Sequence, residues 1–169
     1  MPRTQFPTAL GTCELTWSDA GLTGFYLPNT SQKNSPRPQP AAESTARPSW
    51  VRRLVESAQR HLEGQPQDFS TVPLDWSKVR SFQQAVYQQV RTIRPGSVNS
   101  YGEIARHIGL DARAARSIGV AMAKNPWPLI VPCHRVISAA GKMTGYSASD
   151  GIRMKTRLLV LEGAELISE

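Results

Sequence analysis

The chain has 169 residues, is 40% hydrophobic and carries a formal net charge of +7, enough for one domain or two small ones around a buried core. No run approaches the ~20 consecutive apolar residues of a membrane span, and Met1 to Leu10 lacks the pattern of a secretory signal, so a soluble, cytoplasmic protein is expected. The two cysteines, Cys13 and Cys133, lie far apart without metal-ligand spacing, which predicts neither a disulfide framework nor a metal site.

Residues 12–28 alternate polar and apolar side chains on both sides of Asp19-Ala20-Gly21, the pattern of a β-hairpin. Residues 28–48 hold five prolines among Ser, Gln and Asn and read as a loop or linker. A helix capped by Ser49 follows, with Val51, Leu54, Val55, Ala58 and Leu62 on one face and Gly64 after it. Asp68 to Leu74 suggests a short strand.

From residue 81 the helix signals strengthen. Ser81-Phe82-Gln83-Gln84 has the form of a capping box, and Phe82, Val86, Val90 and Ile93 mark one face before Pro95-Gly96. Ser100-Tyr101-Gly102-Glu103 is a second box, followed by Ile104, Ala105, Ile108 and a stop at Gly109. Asp111 opens a third helix that runs through Lys124 and stops at Asn125-Pro126. Two short helices joined by Gly109-Leu110 have the outline of a helix-turn-helix. Trp127 to Val131 suits a buried strand, Val136 to Tyr146 a hairpin or wing, and Ser149 to Glu162 a last helix ending at Gly163.

Charge follows this division. Residues 1–79 hold eight Lys/Arg against seven Asp/Glu, whereas residues 80–169 hold twelve against six. A basic second half suits a polyanion such as nucleic acid, and equally a solvated surface with no partner. The third helix of this half carries Ala112, Ala114, Ala115, Gly119, Ala121 and Ala123 beside Arg113, Arg116 and Lys124. Small residues allow close approach, to DNA or to the protein's own core, and the arginines favour phosphate and base contacts.

The chemistry concentrates at Cys133-His134-Arg135, just after an apolar run. The thiolate is the nucleophile, and a proton acceptor with nearby positive charge raises its fraction. Neighbours on an extended chain point to opposite faces, so a turn or a water is needed to link thiol and imidazole. The pair alone is more often a buried inert cysteine beside a structural histidine.

The wider context is more specific. Asn125 through Ile137, followed by Gly141-Lys142-Met143-Thr144-Gly145-Tyr146, closely resembles the active-site region of the O6-alkylguanine-DNA alkyltransferases. The resemblance runs back through Ser100–Ala105 and Ala114–Gly119 and forward to Leu159-Val160-Leu161-Glu162-Gly163, covering residues 79–166; the first 75 residues match only loosely.

That resemblance implies an α/β (α+β) fold: an N-terminal domain over 1–75, a small ribonuclease-H-like sheet with helix, and a winged-helix-like domain over 79–169. It implies direct-reversal repair, in which an alkyl group passes irreversibly from O6-alkylguanine, and from O4-alkylthymine, to Cys133. His134 falls on the base that draws the thiol proton through a water, Glu162 on the carboxylate that orients it, and Asn125 on the residue that holds the turn before the site. Tyr101 falls on the residue that rotates the nucleotide out and contacts the base, and Arg116 on the side chain that fills the gap. Backbone atoms of Cys133, Val136 and Ser147 face the guanine, and Tyr146 lines the pocket. Arg113, Ala114, Ala115, Gly119 and Lys124 complete the DNA-facing set. The partner implied is double-stranded DNA, bound through the minor groove with little sequence preference by a monomer, with cooperativity left open.

Two departures stand out. Ser147-Ala148-Ser149-Asp150-Gly151 replaces the family's glycine-rich loop, which leaves the pocket size open. Some relatives hold zinc in the N-terminal part, but here only Cys13 is present, with His61 far along the chain, so no metal or cofactor is expected. Competing readings are a non-catalytic alkyl-damage-sensing protein, a sequence-specific winged-helix regulator and a thiol hydrolase that turns over.

Overall fold

The computed structural model describes residues 1–28, 47–138 and 149–164. The expected hairpin is present as β2 (Gly11–Ser18) and β3 (Gly21–Tyr26), with a register shift at Thr16/Trp17. An unanticipated edge strand, β1 (Arg3–Thr8), pairs antiparallel with β2, giving the order β1-β2-β3. Its Pro7 disguises it in the sequence, yet proline is tolerated on an edge strand. Phe6, Cys13, Leu15, Trp17, Leu22 and Phe25 are buried, and α1 (Ser49–Leu62) packs against β1.

Helix α1 buries Val51, Leu54, Val55, Ala58 and Leu62, as its periodicity requires. Its cap is Pro48, not Ser49: the Pro48 carbonyl accepts from the amides of Val51 and Arg52, and Ser49 is already helical. Asp68–Leu74 is not a strand. Asp68 turns the chain by accepting the Ser70 amide, Pro73 lacks a donor, and only Leu74 bridges to Leu22.

Helix α2 (Ser81–Val90) is capped by Arg80, whose amide donates to Gln83, so the box starts one residue before the predicted Ser81. Its inner face is centred on Val86, Tyr87 and Val90, with the Tyr87 hydroxyl donating to Ala121 O at 2.7 Å. Phe82, expected on that face, sits at the rim and is exposed. The second cap falls where predicted: Ser100 Oγ accepts from the Glu103 amide and starts α3 (Tyr101–His107). Asp111 caps a 3-10 turn, Ala112–Ala114, rather than a continuous helix, and α4 (Ala115–Ala123) follows.

The segment Trp127–Val131 is buried at all but Pro128, yet it is a chain of turns and not the strand its apolarity suggested. Pro126, Pro128 and Pro132 remove ladder donors, and Leu129 adopts a positive φ of 78°. Trp127 ties this segment to the sheet. Its indole N–H donates to Leu22 O at 2.8 Å, and the Phe25 amide donates to Pro126 O at 3.0 Å. Trp76 and Tyr87 meet its ring edge-on.

After the site, β5 (Val136–Ile137) pairs parallel with β4 (Asn99–Ser100). Residues 139–148, on which the rest of the expected wing falls, lie outside the described residues. Helix α5 (Ser149–Leu161) then leads to Glu162 and a positive-φ Gly163. Among the described residues, no helix is long and apolar enough to cross a membrane.

Because Trp127 joins elements far apart in the chain, Trp127→Phe leaves the buried Leu22 carbonyl without that donor. The carbonyl keeps the Asp75 amide at 2.9 Å, so we expect a loss of ~1–2 kcal/mol, from one lost hydrogen bond plus lost volume, measured as a lower urea midpoint with an unchanged denaturant slope.

Candidate active site

Cys133, His134 and Arg135 form a 3-10 turn opened by Pro132, with the Arg135 amide donating to Pro132 O at 2.9 Å. Three residues per turn spread the side chains around an axis instead of alternating them on a strand. The pair is therefore carried on a turn and not on an extended strand. All three residues are buried.

Asn125 holds the approach to the turn. Its side-chain oxygen accepts from the Trp127 amide at 2.9 Å and its amide donates to Val131 O at 2.9 Å. One side chain thus satisfies two backbone groups of a segment that makes no ladder.

His134 Nε2 lies 2.7 Å from Glu162 Oε1. An ionised carboxylate only accepts, so Nε2 carries the proton and Nδ1 presents a lone pair. That Nδ1 is buried and has no hydrogen-bond partner in the protein. Burial is the main cause that pushes the imidazole below its ordinary range, against the opposing pull of Glu162. His134 is therefore held as a neutral base.

Glu162 lies 6% exposed at the end of α5, where burial alone would raise its carboxyl. Hydrogen bonds from His134, His61 and Arg135 outweigh that and hold it well below the carboxylate range. Arg135 grips it as a fork, Nε to Oε2 at 2.9 Å and Nη2 to Oε1 at 2.7 Å, while Nη1 donates to Ile93 O at 2.6 Å. His61 reaches the same Oε1 at 2.8 Å.

Two partners of this centre were missed in the sequence. His61 entered the sequence argument only as a poor metal ligand; among the described residues there is no His/Cys/Asp/Glu cluster able to hold a metal. Lys155 of α5 is also buried, with Nζ donating to Val136 O at 2.6 Å. Burial lowers its ammonium to about 8, and the Cys133 charge opposes that shift. Its spacing from Leu158 and Leu159 places it on the buried face of α5, a signal the sequence did carry.

Tyr101 is partly buried at the start of α3, with the Lys155 ammonium 6.0 Å from its ring centroid. α4 passes beside the Tyr101 ring at Gly119, where a Cβ would lie in ordinary contact with it at 3.9 Å. Arg113, Arg116 and Lys124 are exposed, and Ala114 and Ala115 half-buried beside them. Tyr146 and Ser147 lie outside the described residues. Cys13 is apart from all this: it faces the sheet interior, and burial pushes its thiol up to about 12.

Residues 81–164 match the family model described as 6-O-methylguanine DNA methyltransferase, DNA binding domain. A methylated-DNA–protein-cysteine methyltransferase of Methanothermobacter thermautotrophicus is 34% identical over 150 residues, covering 89% of this chain and 78% of the relative. The chain belongs to the methylated-DNA–protein-cysteine methyltransferase family. A Mycobacterium tuberculosis relative with the same description is 45% identical over 108 residues, 64% of this chain and 62% of its own. The crystal structure of the Mycobacterium tuberculosis O6-methylguanine methyltransferase superposes with a TM-score of 0.78 at 34% identity, over 96% of this chain and 92% of that one. Its complex with DNA gives 0.75 over 96% and 93%. The mixed α/β class and the reaction class, DNA repair by alkyl transfer to a protein cysteine, are those of the family.

The buried neutral His134 has a thermodynamic signature. Its folded pKa lies below the unfolded value near 6.5, so the unfolded state binds more protons as pH falls past that value. Stability is present above about pH 6.5 and declines on acidification. We expect the urea midpoint to fall between pH 7.5 and 5.5, and His134→Gln to flatten that slope.

Proposed function

We propose that this protein removes the alkyl group from O6-alkylguanine, and from O4-alkylthymine, in double-stranded DNA and keeps it on Cys133. One observation carries the assignment: the buried, unpartnered Nδ1 of His134, held as a lone pair by the Nε2–H bond to Glu162, beside Cys133 in a tight turn.

The steps follow from that arrangement. Cys133 gives its proton to His134 Nδ1 through a bridging water, and Glu162, itself held by Arg135, stabilises the imidazolium. The thiolate attacks the alkyl carbon in line. The C–S bond forms as the C–O6 bond breaks, and the electron pair moves onto the guanine, which takes up a proton. Donors near O6 stabilise that charge; Tyr101 and the Ser147 amide are assigned here, with Tyr146 lining the pocket and the Cys133 and Val136 carbonyls accepting from the base.

The target atom lies inside the stack, so the nucleotide must rotate out, at a cost of a few kcal/mol that a damaged pair reduces. The exposed Arg116 fills the space left behind, with Tyr101 displacing the phosphate. Arg113 and Lys124 hold the backbone, and Ala114, Ala115 and Gly119 let the helix enter the minor groove, whose degenerate pattern gives little sequence preference. In this reading residues 79–169 bind DNA and carry the acceptor, residues 1–75 form the domain that braces them, and the protein acts as a monomer.

The product is a thioether, with no carbonyl for water to attack. We expect one alkyl group removed per molecule, a mass gain of one methylene for a methyl lesion, and the adduct on the peptide containing Cys133. Cys133→Ala abolishes transfer and leaves DNA affinity nearly intact, whereas Cys13→Ala changes neither. Turnover beyond one equivalent with Cys133 unmodified refutes the reading.

Arg116→Ala separates docking from chemistry. We expect a larger rate loss on lesion-bearing duplex than on the free alkylated base, measured side by side under single-turnover conditions. Equal losses on both substrates count against a role in filling the duplex.

A further inference from the structure

His61 stands on α1, remote in sequence from the nucleophile, yet its side chain is fully buried against Glu162. The Gln67 amide donates to His61 Nδ1 at 3.0 Å. An amide N–H can only donate, so Nδ1 is the lone pair and the neutral ring carries its proton on Nε2. That Nε2–H points at Glu162 Oε1, 2.8 Å away. The Phe69 ring, with centroids 5.2 Å apart, closes the far side and fixes the plane of the imidazole.

Glu162 Oε1 thus takes three donors: His61, His134 and one arm of Arg135. Two come from the Cys133–Arg135 turn, and those alone would let the carboxylate follow the turn. The third comes from the opposite side, from α1. It closes the cage and fixes the carboxylate relative to the sheet and α1 as well as to the turn.

We propose that His61 is a positioning residue for alkyl transfer: acting through Glu162, it sets the orientation and tautomer of His134. The inference rests on His134 serving Cys133 as base. His61 also competes with His134 for the same oxygen. Without it, Glu162 has one donor fewer and binds the His134 imidazolium more tightly, so less neutral base is present at a given pH. The groups that bear on this balance are His134, Arg135 and Cys133 on the turn, Glu162 and Lys155 from α5 and its end, and Tyr87 from α2. His61 itself comes from α1.

The test uses the full-length chain and a duplex oligonucleotide carrying O6-methylguanine, at saturating protein, with transfer to the Cys133 peptide followed by quench and mass. His61→Phe keeps the ring and its packing on Phe69 but removes the donor. His61→Gln keeps a donor near the Nε2 position. We expect His61→Phe to slow transfer by about tenfold, a part of the ~10²–10⁴ that a positioned base contributes, with DNA affinity unchanged and the acid limb of the pH–rate profile moved to higher pH. His61→Gln restores most of the rate and the profile.

An unchanged rate and profile in His61→Phe overturns the proposal. So does an equal loss in both variants with an unmoved acid limb, which marks a purely structural role. A His134→Phe control separates the two levels: if it transfers at the wild-type rate, the base assignment itself fails. Nitrogen-15 NMR of the unaltered protein gives a check independent of variant folding. Protonated Nε2 with unprotonated Nδ1 at both His61 and His134 near neutral pH supports the proposal, and a protonated Nδ1 at His61 overturns it.

Discussion

A buried carboxylate cannot stand alone, and Glu162 imposes that requirement on much of the molecule. Leaving a buried charge without one of its partners costs ~3–5 kcal/mol, a large share of the 5–15 kcal/mol that holds a typical domain folded. The partners of Glu162 come from places far apart in the chain: His61 near the end of α1, and His134 and Arg135 from the turn after Pro132. Arg135 also reaches Ile93 O, just beyond α2. Satisfying one charge therefore fixes α1, α2, α5 and the nucleophile's turn relative to one another. The apolar core agrees with this: one cluster runs from Phe6 of β1 to Leu158 of α5.

The same requirement separates chemistry from recognition. Cys133, His134 and Glu162 are buried and fixed, whereas Arg113, Arg116 and Lys124 are exposed on or beside α4. A rigid centre loses little by reorganising during reaction. An exposed basic helix with small residues can meet a phosphate backbone without disturbing that centre. Tyr101 stands at the first residue of α3, with Gly119 and the Lys155 ammonium both near its ring.

What the sequence made legible was largely local. The hairpin, α1, α3 and α5 follow from periodicity and from caps such as Ser100. The failures came where a local rule met a tertiary constraint. Apolar Trp127–Val131 read as a strand, but its flanking prolines deny a ladder and Asn125 and Trp127 supply the hydrogen bonds instead. β1 was hidden by Pro7, which only an edge position tolerates. At the site, His134 and Glu162, which only the family resemblance paired, do meet in the fold. His61 was not legible, because no rule of spacing connects it to Glu162, 101 residues away; only the folded packing of α1 against the end of α5 does.

The two cysteines show why environment and not residue type decides reactivity. Both are buried. Cys13 faces apolar side chains within the sheet, and desolvation holds it as a thiol with a pKa of about 12, inert at neutral pH. Cys133 sits in a turn with a neutral imidazole beside it and the Lys155 ammonium in electrostatic contact. In the proposed reaction the proton leaving Cys133 passes to that imidazole, and the thiolate left behind has the Lys155 ammonium to balance it. Desolvation then works in the opposite sense: a thiolate stripped of water is a stronger nucleophile once its charge is balanced. The hydrogen bonds around Glu162 keep His134 in the tautomer that this reading needs.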